Sequence, residues 1–254
     1  MDPINHPCFD YLTSKTSARL HLPVAPDCNI QCSFCNRAYD CINESRPGVT
    51  SKILTPEQAL DKFLQIKKNI PNLSIVGFAG PGDPLANFEQ VKQSIELIKK
   101  VDNHVNFCLS TNGLWLPKYA DEIINAGFSY VTITINAVTT AIAAKIYTRV
   151  DVEQLLKNQM DGLEYLATRG IFCKVNTLYL PGINEHEIED IARKVSENGA
   201  YMMNIKNVVP DPTPPSLNEI REKCSKYIKQ MRHCRQCRAD SIGLLEDDKF
   251  KDYF

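Results

Sequence analysis

Apolar, β-prone runs alternate with helical patterns along most of the chain. The apolar runs span residues 18–25, 73–79, 105–110, 130–137, 171–180 and 201–208. The helical patterns span residues 56–70, 88–101, 117–126, 151–169, 185–198 and 217–232. Six β–α units in strict alternation predict a parallel sheet with right-handed crossovers. Because six units are too few for a complete (β/α)8 barrel, the predicted fold class is α/β, a partial (β/α)6 TIM-like barrel.

Residues at the boundaries of these patterns indicate where the first helix begins and where ligands bind. Thr55 can cap the helix, Pro56 suits its first turn, and Gln58 stands three residues after the cap. Residues 28–54 show little regular pattern, and a loop of that length inside a compact domain is usually functional. Ligands of parallel sheets bind at the carboxyl ends of the strands, so residues just after each strand are the candidates.

Composition and charge exclude several classes of protein. The chain has 254 residues, 43% of them hydrophobic, and a formal net charge of −1. No apolar run reaches about 18 residues, and residues 1–7 lack the basic and apolar regions of a secretory signal. A nearly neutral chain also lacks the basic face of a general nucleic-acid binder. We therefore expect a cytoplasmic protein without membrane or nucleic-acid partners, most simply a monomer.

The chain contains ten cysteines, and five of them lie within its first 41 residues. In a reducing cytosol, clustered thiols more often bind metals or do redox work than form disulfides. Cys28, Cys32 and Cys35 follow the first predicted strand with the spacing C-x3-C-x2-C. Three thiolates can ligate three irons of a [4Fe-4S] cubane, which normally takes four, and the fourth iron then stays open. The alternatives are three unrelated thiols or a zinc site, although zinc favours paired C-x2-C elements or added histidines.

This spacing, in this place in a β/α chain, resembles the radical S-adenosylmethionine superfamily. The resemblance implies that the open iron binds S-adenosylmethionine (SAM). It also implies that one electron from the cluster cleaves SAM to give a 5′-deoxyadenosyl radical.

The resemblance directs attention to glycine and polar residues at the other strand ends. The run Gly80-Pro81-Gly82-Asp83-Pro84 occupies the position of the superfamily's glycine-rich motif. Gly80, Gly82 and Asp83 are therefore expected near the methionine amino group of SAM. Polar residues of the later strands suit the rest of SAM: Ser110, Asn112, Asn136 and Asn176. Ordinary turns and strand-end caps are the alternatives, since these residue types favour both.

Longer runs narrow the resemblance to a family of nitrogenase cofactor maturases. They are residues 6–9, 18–28, 35–49 and 233–240, and the resemblance covers essentially the whole chain. We expect the short, stand-alone form, which lacks a carrier-like C-terminal domain. The expected organisation is one radical SAM domain over 1–254, made of a cluster-ligand extension (1–17), the partial barrel (18–232) and a cluster-ligand tail (233–254).

The resemblance also implies a reaction and partners. Two [4Fe-4S] clusters are fused into an eight-iron cluster around a carbide that comes from a SAM methyl group, and one sulfur is added. The implied partners are an Fe–S cluster donor, a cofactor carrier or scaffold protein, and a reductant such as a ferredoxin. Two other functions stay open: a radical SAM enzyme that uses auxiliary clusters on an organic or peptide substrate, and a non-catalytic Fe–S or zinc scaffold.

The same resemblance implies ligands for two auxiliary [4Fe-4S] clusters. They are Cys8, His21, Cys41, Cys108, Cys234 and Cys237. Their partition between the two clusters is open, and a lone strand histidine is by itself more often structural. Cys173 and Cys224 are expected to be small buried hydrophobes.

Glu44 and Arg46 follow Cys41 in the same loop. Near an iron–sulfur substrate they could relay protons or orient the cluster, and we take them as the candidate catalytic residues. The alternative is a surface ion pair of little energetic value.

Overall fold

The computed structural model describes residues 5–44, 48–208 and 215–253. In these ranges the strands are β1 (Ala18–His21), β2 (Gln31–Cys32), β3 (Leu73–Phe78), β4 (Asn106–Thr111), β5 (Phe128–Thr134), β6 (Tyr147–Thr148), β7 (Phe172–Tyr179), β8 (Met202–Asn207) and β9 (Ile242–Gly243). The α-helices are α1 (Pro56–Asn69), α2 (Phe88–Lys99), α3 (Leu116–Ala126), α4 (Thr140–Ile146), α5 (Val152–Thr168), α6 (Ile188–Glu197) and α7 (Pro215–Ser225).

The main sheet has the strand order β8-β7-β5-β4-β3-β1-β9. Strands β1, β3, β4, β5, β7 and β8 are parallel, and β9 pairs antiparallel with β1. This curled half-barrel confirms the predicted partial (β/α)6 barrel. Parallel strands joined by helices bring their carboxyl ends to one edge of the sheet, where the predicted cysteine loop begins.

The first helix begins as its sequence predicts. The Gln58 N–H donates to the Thr55 hydroxyl at 3.3 Å, and the Thr55 N–H donates to Gln58 Oε1 at 3.1 Å. This reciprocal capping box, with Pro56 in the first turn, satisfies backbone donors that the helix itself cannot pair.

Side chains alternate between the two faces of the strands. One face of the sheet and the helices bury an apolar core that includes Leu20, Val76, Phe107, Val131 and Val175. The neighbouring positions on the strands point to the concave face and are more polar, and the site forms there. Cys173 and Cys224 are fully buried in the apolar core, as predicted.

One predicted helix is too long, and one helix of the structure was not predicted. The last helix ends at Ser225 and not at residue 232, because residues 229–231 run along the edge of β8 instead. There the Met203 N–H donates to the Lys229 carbonyl at 2.9 Å, and the Met231 N–H to the Met203 carbonyl at 2.8 Å. Helix α4 was missed, together with the short β2–β6 pair.

Within the described ranges, no helix is long and apolar enough to cross a bilayer.

Candidate iron–sulfur site

The loop that carries the three-cysteine motif follows β1 and rests on α4 and β6. Strand β2 pairs antiparallel with β6, with Cys32 opposite Tyr147. The Ser33 N–H donates to the Ile146 carbonyl at 2.7 Å. Ile30 and Cys32 belong to one apolar cluster with Ile146 and Tyr147. Helix α4 and the β2–β6 pair, which were not predicted from the sequence, therefore fix the middle of the cysteine motif.

The glycine turn after β3 fixes the beginning of the same loop. The Gly82 N–H donates to the Ala25 carbonyl at 2.6 Å, and the Asp83 N–H to the Asp27 carbonyl at 2.7 Å. A Cβ atom on Gly82 would lie 2.0 Å from the Asp27 carbonyl oxygen. Glycine permits this close approach of two backbones. Because Asp27 directly precedes Cys28, the turn sets the position of the first cysteine.

These elements line a cavity, here named the loop pocket. Its lining includes Cys28, Cys32, Cys35, Gly82, Asp83 and Asn112. It therefore brings the three motif cysteines together with three of the residues expected to contact SAM.

Asp83 is 3% exposed, and its carboxylate joins the glycine turn to the end of β4. It accepts hydrogen bonds from the Leu85 N–H at 2.9 Å, the Thr111 hydroxyl at 3.0 Å and the Asn112 N–H at 2.7 Å. Burial raises the pKa of Asp83 to about 6, although these hydrogen bonds act in the opposite direction. The Asn112 amide nitrogen is thereby held 3.8 Å from Cys28 Sγ.

Four of the residues expected at SAM do not line the loop pocket. Asn136 is fully buried and donates to Asn43 Oδ1 at 2.9 Å, so it links two parts of the interior. Gly80 lies in the turn with φ +136° but outside the pocket wall. Ser110 and Asn176 line a second cavity. The structure gives these four residues no direct place beside the motif cysteines.

Cys41 lies beside the motif cysteines and apart from the other expected auxiliary ligands. The Asn43 amide nitrogen is 3.6 Å from Cys32 Sγ and 3.9 Å from Cys41 Sγ. Burial raises the pKa of Cys28 to about 11 and that of Cys41 to about 12, and it also raises the pKa of Cys32. Because iron binds thiolates, metal loading of this pocket releases protons.

A second cavity lies on the concave face of the sheet and is here named the chamber. It collects the other five expected auxiliary ligands: Cys8, His21, Cys108, Cys234 and Cys237. Among the described residues, no three Cys, His, Asp or Glu side chains are grouped as ligands of one metal ion. In a cubane, by contrast, each thiolate binds a different iron, so its ligands need not converge on one point.

Gly77 leaves room for a ligand between two of these donors. On β3 it pairs with His21 of β1 on one side and with Cys108 of β4 on the other. A Cβ on Gly77 would lie 2.8 Å from His21 Cδ2, 3.2 Å from His21 Nε2 and 3.1 Å from Cys108 Sγ. Gly77 has no side chain, so it leaves a space between the His21 nitrogen and the Cys108 sulfur. We call this space the cradle.

His21 is held in the state that a metal ligand requires. Its Nδ1–H donates to the Arg238 carbonyl at 2.9 Å, which leaves Nε2 free on the side of Gly77. Burial is the main cause that lowers the pKa of His21 to about 4, and the positive charge of Arg19 is the second cause. The imidazole is therefore neutral near pH 7, and neutral imidazole is the form that binds metals.

Buried Arg19 holds the C-terminal tail against the chamber. Its Nη1 donates to the carbonyls of Gly243 at 2.6 Å and Leu244 at 2.5 Å. Its Nη2 lies 3.2 Å from both Cys237 Sγ and Asp248 Oδ2. Arg19 thus positions one chamber thiol and the tail strand β9 together.

The thiol of Cys8, another donor of the chamber, has a raised pKa. Burial raises the pKa of Cys8 to about 11, and the positive charge of Lys174 acts in the opposite direction.

Of the described residues, Glu44 is the one that lines both cavities. The Thr134 hydroxyl donates to Glu44 Oε1, and the Asn176 amide donates to Oε2 at 3.2 Å. The carboxylate is therefore fixed at the boundary between the loop pocket and the chamber. Arg46 lies outside the described residues, so its predicted role stays a prediction.

Sequence reasoning missed several residues of the chamber, among them Gly77, Lys174 and Lys206. A usable signal existed in β7 and β8. Lys174 and Asn176, and likewise Asn204 and Lys206, are polar residues two positions apart in otherwise apolar strands. That spacing places them on one face of the sheet.

The fold, the cysteine loop and the glycine turn define a class of protein. Residues 22–195 match the family model of the Radical SAM superfamily, and the chain belongs to that superfamily. Membership implies a [4Fe-4S] cluster and SAM as cofactors.

Within that class, the chain is similar to FeMo cofactor biosynthesis proteins NifB. It is 42% identical to NifB of Bradyrhizobium diazoefficiens and 41% identical to NifB of Klebsiella pneumoniae, in both cases over 98% of this chain. The chain spans 55% and 58%, respectively, of the length of these two relatives.

Solved structures support the fold. HydG, a maturase of the [FeFe]-hydrogenase, matches with a TM-score of 0.58 at 11% identity, over 85% of this chain and 52% of that one. Methylornithine synthase (PylB) matches with a TM-score of 0.53 at 17% identity, over 81% of this chain and 58% of that one. At such identities the likeness shows the shared partial barrel alone.

Proposed function

We propose that the chain builds the eight-iron precursor of the nitrogenase cofactor. In the proposed reaction, two [4Fe-4S] clusters are substrates and are fused around a carbide that derives from a SAM methyl group, with one sulfur added. The observation that carries the proposal is the arrangement of the two cavities. A loop pocket with the superfamily's cysteine motif shares the wall residue Glu44 with a chamber that holds five further sulfur and nitrogen donors.

In this proposal the loop pocket is the site of SAM cleavage. Cys28, Cys32 and Cys35 hold the resident [4Fe-4S] cluster, which when bound supplies the electron for reductive cleavage of SAM. Asn112 and the turn at Gly82 orient the methionine end of SAM. Asp83 acts through them, because its oxygens are occupied by backbone and hydroxyl donors. Gly80, Ser110, Asn136 and Asn176 remain predicted SAM contacts.

The chamber is the proposed site of the two substrate clusters. Cys8, Cys108, Cys234 and Cys237 supply thiolates, and His21 supplies a neutral nitrogen ligand beside the Gly77 cradle. A neutral imidazole is easier to displace than a thiolate, which suits a cluster that must be remodelled and released. Cys41, which lines the loop pocket, is a further proposed cluster ligand.

Glu44 is the proposed proton acceptor. A methyl carbon that becomes a carbide must lose three hydrogens, and a radical removes only one of them as an atom. A carboxylate fixed between the SAM site and the clusters can accept a proton at Oε2, the oxygen bonded to Asn176. Arg46 is the proposed orienting cation of the same loop.

The proposal also specifies partners and location. An Fe–S cluster donor, a carrier or scaffold protein for the product, and a reductant such as a ferredoxin are the expected partners, in the cytoplasm. All ten cysteines are free, which suits a reducing compartment.

The test follows the methyl carbon of SAM. With methyl-labelled SAM and a reductant, wild-type protein loaded with clusters under anaerobic conditions should release 5′-deoxyadenosine and retain label in the protein-bound cluster. Cys32→Ala should abolish both products. Cys234→Ala should spare some 5′-deoxyadenosine formation but stop label retention. Cys173→Ala, which alters a cysteine of the apolar core, is the matched control and should retain both.

Two results would contradict the proposal. Cleavage of SAM without label in any cluster would favour an enzyme that acts on an organic or peptide substrate. Full label retention by Cys234→Ala would remove the tail cysteines from the site.

A further inference from the structure

Lys174 is a buried cation that faces the chamber. It lies on β7, between Thr132 of β5 and Met202 of β8, and it is 6% exposed. Its Nζ is 5.4 Å from the centroid of the Phe9 ring. Within the described residues, no hydrogen-bond acceptor or carboxylate pairs with this ammonium group.

The other cations of the chamber have partners. Arg19 contacts Asp248 at 3.2 Å, and Arg235 contacts Glu246 at 2.9 Å. Lys206 is 2% exposed and donates to the Asn43 carbonyl. Arg19 and Arg235 thus meet carboxylates and Lys206 meets a carbonyl oxygen, whereas no acceptor of the described residues pairs with the ammonium group of Lys174.

A largely buried lysine loses part of its hydration, and a counter-charge in the cavity that it lines would offset this loss. The groups electrostatically coupled to Lys174 include two of the chamber thiols, Cys8 and Cys108. Iron–sulfur clusters held by thiolates carry negative charge, so such a cluster would supply the missing counter-charge. The fold therefore places a free positive charge where the proposed function needs an anion.

We propose that Lys174 is the counter-cation of an anionic iron–sulfur cluster bound in the chamber, and that it positions this cluster against Cys8 and Cys108. The inference rests on the proposed function, since it assumes that the chamber binds a cluster. Lys174 acts through its charge and is not a ligand.

The chain offers a matched control for Lys174. Lys229 is exposed and lies over the Tyr201 ring, also at 5.4 Å. Tyr201 in turn stacks against Phe9. Lys229 thus contacts the same aromatic group from outside the chamber.

The experiment compares Lys174→Met, Lys174→Arg and Lys229→Met after anaerobic reconstitution with iron and sulfide. Iron per chain and the midpoint potential of the auxiliary-cluster signal are measured, and thermal melting checks the fold. Lys174→Met should lose about four irons per chain, one cubane, or retain the cluster with a more negative midpoint potential. Lys174→Arg should restore the iron content and the potential, and Lys229→Met should match wild type.

Two outcomes would overturn the inference. One is a Lys174→Met variant with wild-type iron content and an unchanged potential. The other is a Lys174→Arg variant as defective as Lys174→Met, which would show that side-chain shape matters and charge does not. Neither readout depends on carbide formation. Failure of methyl-label retention in wild type would therefore count against the proposed function, whereas these outcomes count against Lys174 alone.

Discussion

The loop pocket and the chamber adjoin at Glu44, but they draw their donors from the chain in different ways. The loop pocket takes its cysteines from one continuous segment, residues 28–41. The chamber takes its donors from positions as distant as Cys8 and Cys237, carried by an N-terminal segment, two strands and the tail. The cysteines of the loop pocket are neighbours in the sequence, although β6 and the glycine turn fix the loop. The donors of the chamber, in contrast, come together only when the half-barrel and its tail are in place.

The two cavities also differ in charge. Two carboxylates, Asp83 and Glu44, line the loop pocket against one cation, Arg37. The chamber shares Glu44 but has three cations in its wall, Lys174, Lys206 and Arg235, with Arg19 beside Cys237. Opposite charges attract in a low-dielectric interior. The loop pocket therefore suits the cationic sulfonium and amino groups of SAM, and the chamber suits anionic clusters.

The largest expected effect on one cavity alone comes from Gly82→Ala. The new Cβ would collide with the Asp27 carbonyl oxygen at 2.0 Å and displace the start of the cysteine loop. A displacement of this kind should lower the rate of 5′-deoxyadenosine formation by about 100-fold. Iron held in the chamber should stay at the wild-type level. Equal loss of iron from both cavities would show that they are not independent.

Gly77→Ala should disturb the chamber and spare the loop pocket, with a smaller effect than that of Gly82→Ala. Its Cβ would press on His21 and Cys108, at a cost of about 1–3 kcal/mol of stability and with loss of cluster from the chamber. Cleavage of SAM in the loop pocket should continue. Gly170→Ala is the control, since its Cβ meets nothing within 4 Å and the change costs only the backbone strain of φ +83°. A Gly77→Ala protein that binds wild-type iron would remove the cradle from the site.

The smallest effect concerns the pH dependence of Asp83. Its pKa of about 6 in the folded chain lies above the ordinary value of 3.8, so protonation favours the folded state. The stabilisation is complete below about pH 4 and is lost as pH rises through 6. For the cluster-free chain, the unfolding free energy of wild type relative to Asp83→Asn should fall by about 2 kcal/mol between pH 4.5 and 7. Parallel denaturation profiles across this range would contradict the assignment.

Most of the fold could be predicted because strand and helix periodicities alternate clearly along the chain. Helix α4 could not, since seven residues with no strong pattern are stabilised mainly by packing under the cysteine loop. The last helix was predicted too long because Cys224, Ile228 and Met231 continue a helical spacing. Residues 229–231 instead pair with the edge of β8, a tertiary contact that no local pattern reveals.

The same distinction applies to the site. The loop pocket could be predicted from one motif, because its cysteines are neighbours in sequence. The chamber's ligands were predicted from a resemblance, and its cradle at Gly77 and its cation at Lys174 were not predicted at all. These two residues depend on the lateral register of β1, β3, β4 and β7, which is set by the packing of the whole sheet.

The presence of clusters in both cavities is tested most directly by the iron content of the reconstituted wild-type protein, measured with its EPR spectrum before and after SAM is added. We expect about twelve irons per chain, three cubanes, with one cluster signal changed by SAM and the others unchanged. About four irons, with every signal responsive to SAM, would mean that the chamber holds no cluster, and would contradict separate sites for SAM and for the substrate clusters.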